Sequence, residues 1–234
     1  MIRRPGRPGG RAVGRDGHAL SSFPGVTDSA LPVSRAERAA LADLLEQLGP
    51  EQPTCCEGWT TRHLAAHLVA RDRRPDAMPG LALGGPFAAW SRRVESRMRS
   101  GRGWNRLVDE VRSGPPAWAP TAWPLLDRVL NTAEMVIHNE DVRRAQPDWS
   151  PRELPREVQD QLWSTVPFLA RGRDVAKLAG GLVACRDDVP AGTPARERRL
   201  RPGASATTVT GAPLEVLLWV SGRREFSRVE VTGG

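Results

Sequence analysis

The sequence predicts a mainly α protein: a four-helix bundle with appended helices, followed by a small C-terminal α/β element. Two observations support this class. Six segments between residues 34 and 170 carry apolar residues at helical spacing. After residue 173 the pattern changes to short β-branched runs bounded by turn residues. The short connections between the six helices favour antiparallel packing of neighbours.

Start and stop residues bound the predicted helices. Ser34, followed by Glu37 three positions later, matches a capping box for the first helix. A threonine of the pair Thr60 and Thr61 is expected to cap the second helix. Glycine and proline end most of the segments. The predicted helices span about 34–48, 61–73, 87–99, 104–112, 123–145 and 156–170.

The chain divides into three predicted regions. Residues 1–32 contain ten Gly or Pro and little apolar periodicity, which indicates a disordered Arg/Gly/Pro-rich extension. Residues 33–172 form the helical bundle. Residues 173–234 form the small α/β region, whose β-branched runs are 180–185, 207–210 and 227–231, with a helix starting at Pro213.

The net charge of +7 does not by itself indicate nucleic-acid binding. The first 32 residues contribute +3 of it, and later arginines alternate with acids. Runs such as Arg35 to Arg38 and Arg93 to Arg97 are typical of solvated helix faces. We therefore expect no nucleic-acid partner.

Cysteine count and hydropathy indicate the compartment. Three cysteines, two of them adjacent, cannot build a disulfide framework, which favours a reducing environment. No apolar stretch approaches the length of a membrane span, and the N-terminus lacks the apolar core of a signal peptide. The expected protein is cytoplasmic, without a membrane partner. Cys56 is interpreted as a small buried residue, with a reactive thiol as the alternative.

A narrow polar stripe follows the long predicted helix. Asp127, Asn131, Glu134, His138 and Asp141 fall within a sector of roughly 80° between apolar flanks, so the stripe is expected to face the bundle interior. The pair Glu134 and His138, one turn apart, could reach one metal ion. The alternative is a simple internal hydrogen bond between the two, which an isolated E-x-x-x-H motif favours.

A third ligand would favour the metal. On the second helix, His67 lies roughly 80° from the centre of the apolar face and His63 about 120° away. His67 is therefore the better inward-facing candidate. His63 is expected to face solvent, with a second ligand from H-x-x-x-H as the alternative.

These motifs resemble a known family. The pattern resembles the actinobacterial metal-binding proteins related to mycothiol-dependent maleylpyruvate isomerase, within the DinB-like four-helix-bundle superfamily. The similarity covers about residues 33 to 234. The segments that carry it are EGWTTRHLAAHL at 57–68, NTAEMVIHNEDVRR at 131–144 and GAPLEVLLW at 211–219.

The resemblance implies a site and a chemistry. His67, Glu134 and His138 match the family residues that bind one divalent metal, while His63 stands where the family often has an acidic residue. Two histidines and one glutamate leave a coordination position open, as in catalytic zinc sites. Zinc is the expected metal, with nickel, manganese or iron as alternatives. The implied partners are a small-molecule thiol, mycothiol, and an electrophile.

Further residues of the stripe have open roles. Asn131 and Asp141 could orient a histidine ring or contact substrate. For Asp141, an ion pair with Arg144 or another arginine is equally favoured. The function is therefore predicted as a metal-dependent thiol S-transferase or isomerase, with a non-catalytic metal-binding, sensing or interaction module as the alternative. Either a monomer or a homodimer is expected.

Overall fold

The computed structural model describes residues 32–77, 85–123 and 131–233. The predicted extension at 1–31 and the first part of the long predicted helix, residues 124–130 with Asp127, lie outside these residues. The disorder of the extension and the boundaries of the three predicted regions stay predictions.

The described residues confirm the mainly α class. Apolar spacing located most helix bounds within a few residues, because the periodic burial of one face determines each helix. Trp123 lies in a bend, so the long predicted helix does not begin there. The helices are α1 Val33–Leu48, α2 Thr61–Arg73, α3 Gly85–Gly101, α4 Trp104–Ser113, α5 Thr132–Arg143, α6 Arg156–Leu169 and a single turn, α7, Arg173–Ala176.

The two predicted helix starts have different outcomes. Pro32 precedes α1 without a side-chain cap, so the capping box of Ser34 and Glu37 was a wrong prediction. The Glu37 carboxylate instead accepts hydrogen bonds from Asn139 and Arg152. Hydrogen bonds to residues distant in sequence therefore replace the predicted local cap. At α2 the predicted threonine cap is present, and it is Thr60.

A small sheet follows the helices. Its strand order is β2-β1-β3-β4, with β1 parallel to β3 and both outer strands antiparallel to their neighbours. The sequence missed β2, because this edge strand is charged and half-exposed and so lacks apolar alternation. The elements are β1 Gly181–Arg186, β2 Glu197–Arg201, β3 Ala206–Gly211, α8 Pro213–Val220 and β4 Glu230–Thr232.

Helix α5 lies between two apolar clusters. Met135 and Val142 pack into a cluster shared with α1 to α4. Val136 and Ile137 pack into a second cluster with α6, the sheet and α8. Because α5 is covered on both of these faces, its polar side chains must find partners inside the protein.

Buried ion pairs connect these layers. Arg144 forms a two-pronged contact with Glu215 of α8, at 2.6 and 2.8 Å, and donates to Glu140 at 2.6 Å. Arg152 connects Glu140 to Glu37 of α1. Glu37, Glu140, Arg144 and Glu215 are buried and Arg152 is half-buried, so the interleaved acids and bases of the sequence are not all solvated as predicted. None of the helices in the described parts of the chain is both long and apolar enough to cross a membrane.

Candidate metal centre

Three predicted side chains meet between α2 and α5. Nε2 of His67 lies 3.5 Å from Oε1 of Glu134, and Nε2 of His138 lies 3.2 Å from the same oxygen. The two imidazole rings meet edge to face with centroids 5.4 Å apart. Both histidines are buried, whereas the Glu134 side chain is 29% exposed. The structure thus points two ring nitrogens at one carboxylate oxygen.

A carboxylate holds the other nitrogen of each ring. Nδ1 of His67 lies 2.8 Å from Oε1 of Glu95, and Nδ1 of His138 lies 2.8 Å from Oδ2 of Asp141. A neutral imidazole that donates its Nδ1 hydrogen keeps a lone pair on Nε2. Metal-binding histidines commonly have this arrangement, because the carboxylate orients the ring and makes Nε2 more basic.

The charges at the centre are strongly coupled. Burial alone would raise the pKa of Glu134, but the Arg71 charge and hydrogen bonds from the two histidines lower it well below its ordinary value. Burial alone would lower the pKa of His138, but its bonds to Asp141, Cys56 and Glu134 raise it well above its ordinary value. Glu134 is therefore an anion, and its cationic neighbours are Arg71 and protonated His138.

Asp141 performs two of the roles that the sequence left open. Besides holding His138, its fully buried carboxylate accepts hydrogen bonds from Nε and Nη2 of Arg223, at 2.9 and 2.8 Å. The arginine partner is therefore Arg223, and Arg144 binds glutamates instead. The pKa of Asp141 lies far below its ordinary value, because these bonds and charges outweigh burial.

Cys56 lies against the same carboxylate. Its Sγ is 3.3 Å from Oδ2 of Asp141 and 3.5 Å from Nη2 of Arg223. Cys56, His138 and Asp141 also form a compact set of metal-ligating atoms within 4.8 Å of one another. Arg223 adds a positive charge to this set. Cation binding is therefore less favourable here than at His67, Glu134 and His138.

Asn131 acts on the centre through Arg71. It is fully buried, accepts a hydrogen bond from Nη1 of Arg71 at 2.8 Å and donates to the carbonyl of Thr121 at 2.8 Å. Arg71 Nε lies 3.5 Å from Oε1 of Glu134. Asn131 thus holds the arginine that faces Glu134.

His63 lies apart from the three clustered side chains. Its Nδ1 accepts a hydrogen bond from the backbone N–H of Thr60 at 3.2 Å, which completes the cap of α2. The ring is half-buried on the wall of an open cleft. Burial and the nearby Arg99 charge lower its pKa.

The cleft of about 300 Å³ opens beside the centre. Trp59 lines it and also packs against the His67 ring, with centroids 5.2 Å apart. Glu95, the partner of His67, lies in the same wall. The remaining lining residues are His63, Ala66, Arg92, Ser96 and Arg99. A molecule in this cleft would contact the residues that support the centre.

The donor set fits a divalent metal. One ligand atom from each of His67, Glu134 and His138 lies within 4.8 Å of the others, so a single ion could contact all three. Two imidazoles and a carboxylate suit zinc and other divalent transition metals. Three protein ligands also leave room for a further ligand, as catalytic sites require.

Sequence reasoning missed three side chains of this site. Glu95 was assigned to a solvated face, and Arg71 and Arg223 were not considered. Glu95 lies on the α3 face that also carries Arg92 and Arg99 of the cleft. The helical spacing of these residues was visible, but the partner helix was not.

The described residues thus define a mainly α protein with a small C-terminal sheet and a buried cluster of two histidines and a glutamate. No protein-family model and no curated protein sequence matches the chain. A solved mycothiol-dependent maleylpyruvate isomerase is similar, with a TM-score of 0.51 and 17% identity over 86% of this chain and 90% of that chain. A histidine-to-alanine mutant of that isomerase gives 0.50 and 16% over the same shares. These similarities show a related fold.

Proposed function

We propose that the protein is a metal-dependent thiol S-transferase or isomerase, in which His67, Glu134 and His138 hold one divalent metal. One observation carries the proposal: both histidines direct Nε2 at the same Glu134 oxygen, while a carboxylate fixes Nδ1 of each. If Glu134 only formed ordinary hydrogen bonds with the two histidines, a second carboxylate on Nδ1 of each ring would not be required. The zinc-class donor set and the similarity to a mycothiol-dependent isomerase add support.

A divalent metal at these ligands would supply Lewis acidity, which stabilises a thiolate or polarises a carbonyl. The protein residues prepare the site for it. Asp141 and Glu95 fix the two imidazole rings, and Arg223 keeps Asp141 ionised. Arg71 keeps Glu134 ionised. A bound metal would replace the proton on Nε2 of each histidine, because metal binding requires neutral imidazole ligands.

The cleft suggests the substrates. We propose mycothiol as the thiol, on the similarity alone, and an anionic electrophile as its reaction partner. Arg92 and Arg99 line the cleft with no described ion pair, so they are available to attract a carboxylate. The Trp59 ring supplies an apolar wall. In the reaction the S–H bond would break, the sulphur would bond to the β-carbon of an α,β-unsaturated carboxylate as the C=C π bond opens, and the proton would go to the α-carbon. In an isomerase, rotation about the resulting C–C single bond would precede loss of the α-proton and release of the same thiol, which restores the double bond.

The decisive experiment combines metal content with turnover. Wild-type protein, His67→Ala, His138→Ala and the control His63→Ala are purified, and their metal content is measured by mass spectrometry. We expect about one metal per chain in wild type and His63→Ala, and a large loss in the other two. Stoichiometric metal in His67→Ala or His138→Ala would overturn the assigned centre.

Turnover separates the catalytic role from metal binding alone. The metal-loaded and chelated proteins are mixed with an α,β-unsaturated dicarboxylate, with and without mycothiol, and adduct or isomer is measured by chromatography. We expect product only with metal and mycothiol together. A metal-loaded protein that remains inactive with mycothiol, glutathione and cysteine would favour the alternative, a non-catalytic metal-binding or sensing module.

A further inference from the structure

A second cavity lies where α1 meets the end of α4, away from the candidate metal centre. Its volume is about 450 Å³. Arg35 and Arg38 lie one turn apart on α1, and Arg112 comes from α4. No carboxylate belongs to the described lining, which is completed by Ser113, Gly114, Pro115 and Ala122. The charged side chains of the described lining are therefore all cationic, although Arg38 and Arg112 also pair with acids outside it.

A buried nitrogen without a hydrogen-bond partner belongs to a lining residue of this cavity. In the described parts of the chain, four buried side-chain N or O atoms have no hydrogen-bond partner, and three of them belong to Arg38, Arg73 and Thr121. Arg38 lines the cavity. Arg73 donates to Ser113 and Gly114 of the wall, and Thr121 directly precedes the lining residue Ala122. Native proteins rarely leave such atoms unpaired, so the unpartnered Nη2 of Arg38 indicates a missing ligand.

Arg38 is held in place for such a role. Its side chain is 6% exposed, and Nη1 binds Oδ2 of Asp72 at 2.7 Å and the carbonyl of Val111 at 3.1 Å. These contacts use one nitrogen of the guanidinium group, while Nη2 has no partner. A guanidinium fixed at one end and unpaired at the other is prepared for an oxyanion.

Gly114 leaves the space beside this guanidinium open. Its φ of +70° favours glycine, and a Cβ added there would lie 3.2 Å from Nε of Arg38. Any larger residue would crowd the arginine and narrow the cavity. Arg35 is exposed and forms no described ion pair, whereas Arg112 shares its charge with Asp43 and Glu46. Arg35 is therefore the exposed lining cation without a described ion pair.

We propose that this cavity binds a small phosphate-class oxyanion through Arg35 and Arg38. A tetrahedral oxyanion accepts several hydrogen bonds at once, which matches convergent guanidinium donors. The cavity also leaves space for a small organic group attached to the phosphate. The ligand could be free phosphate or a small phosphomonoester. The proposal does not require the proposed metal chemistry, although Asp72 contacts both Arg38 and Arg71, the arginine that faces Glu134.

Calorimetric titration tests the proposal on the full-length protein. Inorganic phosphate, glycerol 2-phosphate and malonate are titrated separately at constant ionic strength. We expect both phosphates to bind more tightly than malonate, and tighter binding of glycerol 2-phosphate would identify the phosphomonoester as the ligand. Tighter binding of inorganic phosphate would identify the free anion.

Three variants locate the binding. Arg35→Gln removes the exposed charge, and we expect about tenfold weaker phosphate binding, because one charge-assisted hydrogen bond is lost. Arg38→Lys keeps the charge beside Asp72 but removes the planar fork, and a similar loss is expected. Arg97→Gln, an exposed control on α3, removes one positive charge elsewhere and should leave phosphate affinity unchanged.

Three results of the phosphate titrations would overturn the proposal. Absence of phosphate binding to wild type, or equal affinity in wild type and both Arg35→Gln and Arg38→Lys, would overturn the proposal. Binding lost in Arg99→Gln but kept in Arg35→Gln would place the anion in the cleft beside the metal centre, which also overturns it. Failure of the metal proposal would leave these outcomes unaffected.

Discussion

Nδ1 of His138 lies 2.8 Å from Oδ2 of Asp141, three residues further along α5, and the Asp141 side chain has no solvent exposure. This contact fixes the orientation of the imidazole and favours a hydrogen on Nδ1. Because Nε2 then faces Glu134, the buried carboxylate determines what His138 can offer to a cation.

The first prediction concerns this support. Asp141→Asn removes the carboxylate that orients His138, and Glu95→Gln does the same for His67. Each change should weaken metal affinity about 10- to 100-fold, the usual effect of losing such a partner. Competition with a chromophoric chelator measures the affinity. The exposed control Asp109→Asn should match wild type.

The comparison of the two variants is itself informative. Glu95 is 21% exposed and lacks an arginine partner in the described residues, whereas Asp141 is buried beside Arg223. Asp141→Asn should therefore also lower thermal stability, while Glu95→Gln should alter stability little. Unchanged metal affinity in a folded Glu95→Gln protein would contradict the supporting role.

The second prediction concerns the cleft and rests on the proposed function. Arg92→Gln and Arg99→Gln each remove a cation that would attract an anionic electrophile. KM for such an electrophile should rise about tenfold in each variant, from the loss of a charge-assisted hydrogen bond, with a small change in kcat. Steady-state kinetics with an anionic and a neutral electrophile make the test. An equal rise for both electrophiles would argue against charge recognition.

The third prediction concerns Glu140, which is buried among three arginines. Burial alone would raise its pKa, but the hydrogen bond and charge of Arg144 and the charge of Arg152 lower it. Glu140→Gln leaves three arginines with a weaker partner, so we expect about 3 kcal/mol lower stability at pH 7. Urea unfolding measures this, and the exposed Glu153→Gln change should stay within about 0.5 kcal/mol of wild type.

The stability difference should depend on pH. A carboxylate whose pKa is lowered by folding stabilises the protein above its unfolded pKa, and this contribution disappears as pH falls through the folded value. The gap between wild type and Glu140→Gln should therefore be full at pH 7 and shrink progressively below about pH 4. A stability difference that grows towards low pH would contradict a Glu140 pKa that is lower in the folded than in the unfolded protein.

The fourth prediction concerns Cys55. Burial, the Asp141 charge and the neighbouring Cys56 raise the pKa of the Cys55 thiol to about 12. At pH 8 about one Cys55 in ten thousand would then be a thiolate, so iodoacetamide should label it about a thousandfold more slowly than an ordinary thiol. Tandem mass spectrometry locates the label, and urea-unfolded protein is the control. Equal rates of Cys55 labelling in folded and unfolded protein would contradict a raised thiol pKa in the folded protein.

The local elements of the fold followed from the sequence in most places. Helices α2, α4 and α6 begin at or next to their predicted residues, because capping residues and apolar spacing are local signals. Strand β2 escaped prediction, since its Glu-Arg-Arg-Leu-Arg sequence has no buried alternation. The cap at Ser34 also failed, because Glu37 has partners 102 and 115 residues away.

Some residues of the candidate centre were likewise predictable from the sequence, whereas their partners were not. The i, i+4 spacing placed Glu134 and His138 on one face of a helix, and the polar stripe indicated an interior orientation. The four described members of that stripe are buried or half-buried. Their partners, however, lie on other elements: Glu95 is 28 residues from His67, and Arg223 is 82 residues from Asp141.

The sequence by itself determined the helical class, most helix positions and the histidines and glutamate that could share an ion. Only the tertiary structure decided which carboxylate holds each imidazole, which arginine balances each buried acid and where the two cationic cavities open. The physical reason is that residue spacing along a helix sets the direction of a side chain. The packing of helices against one another sets what that side chain meets.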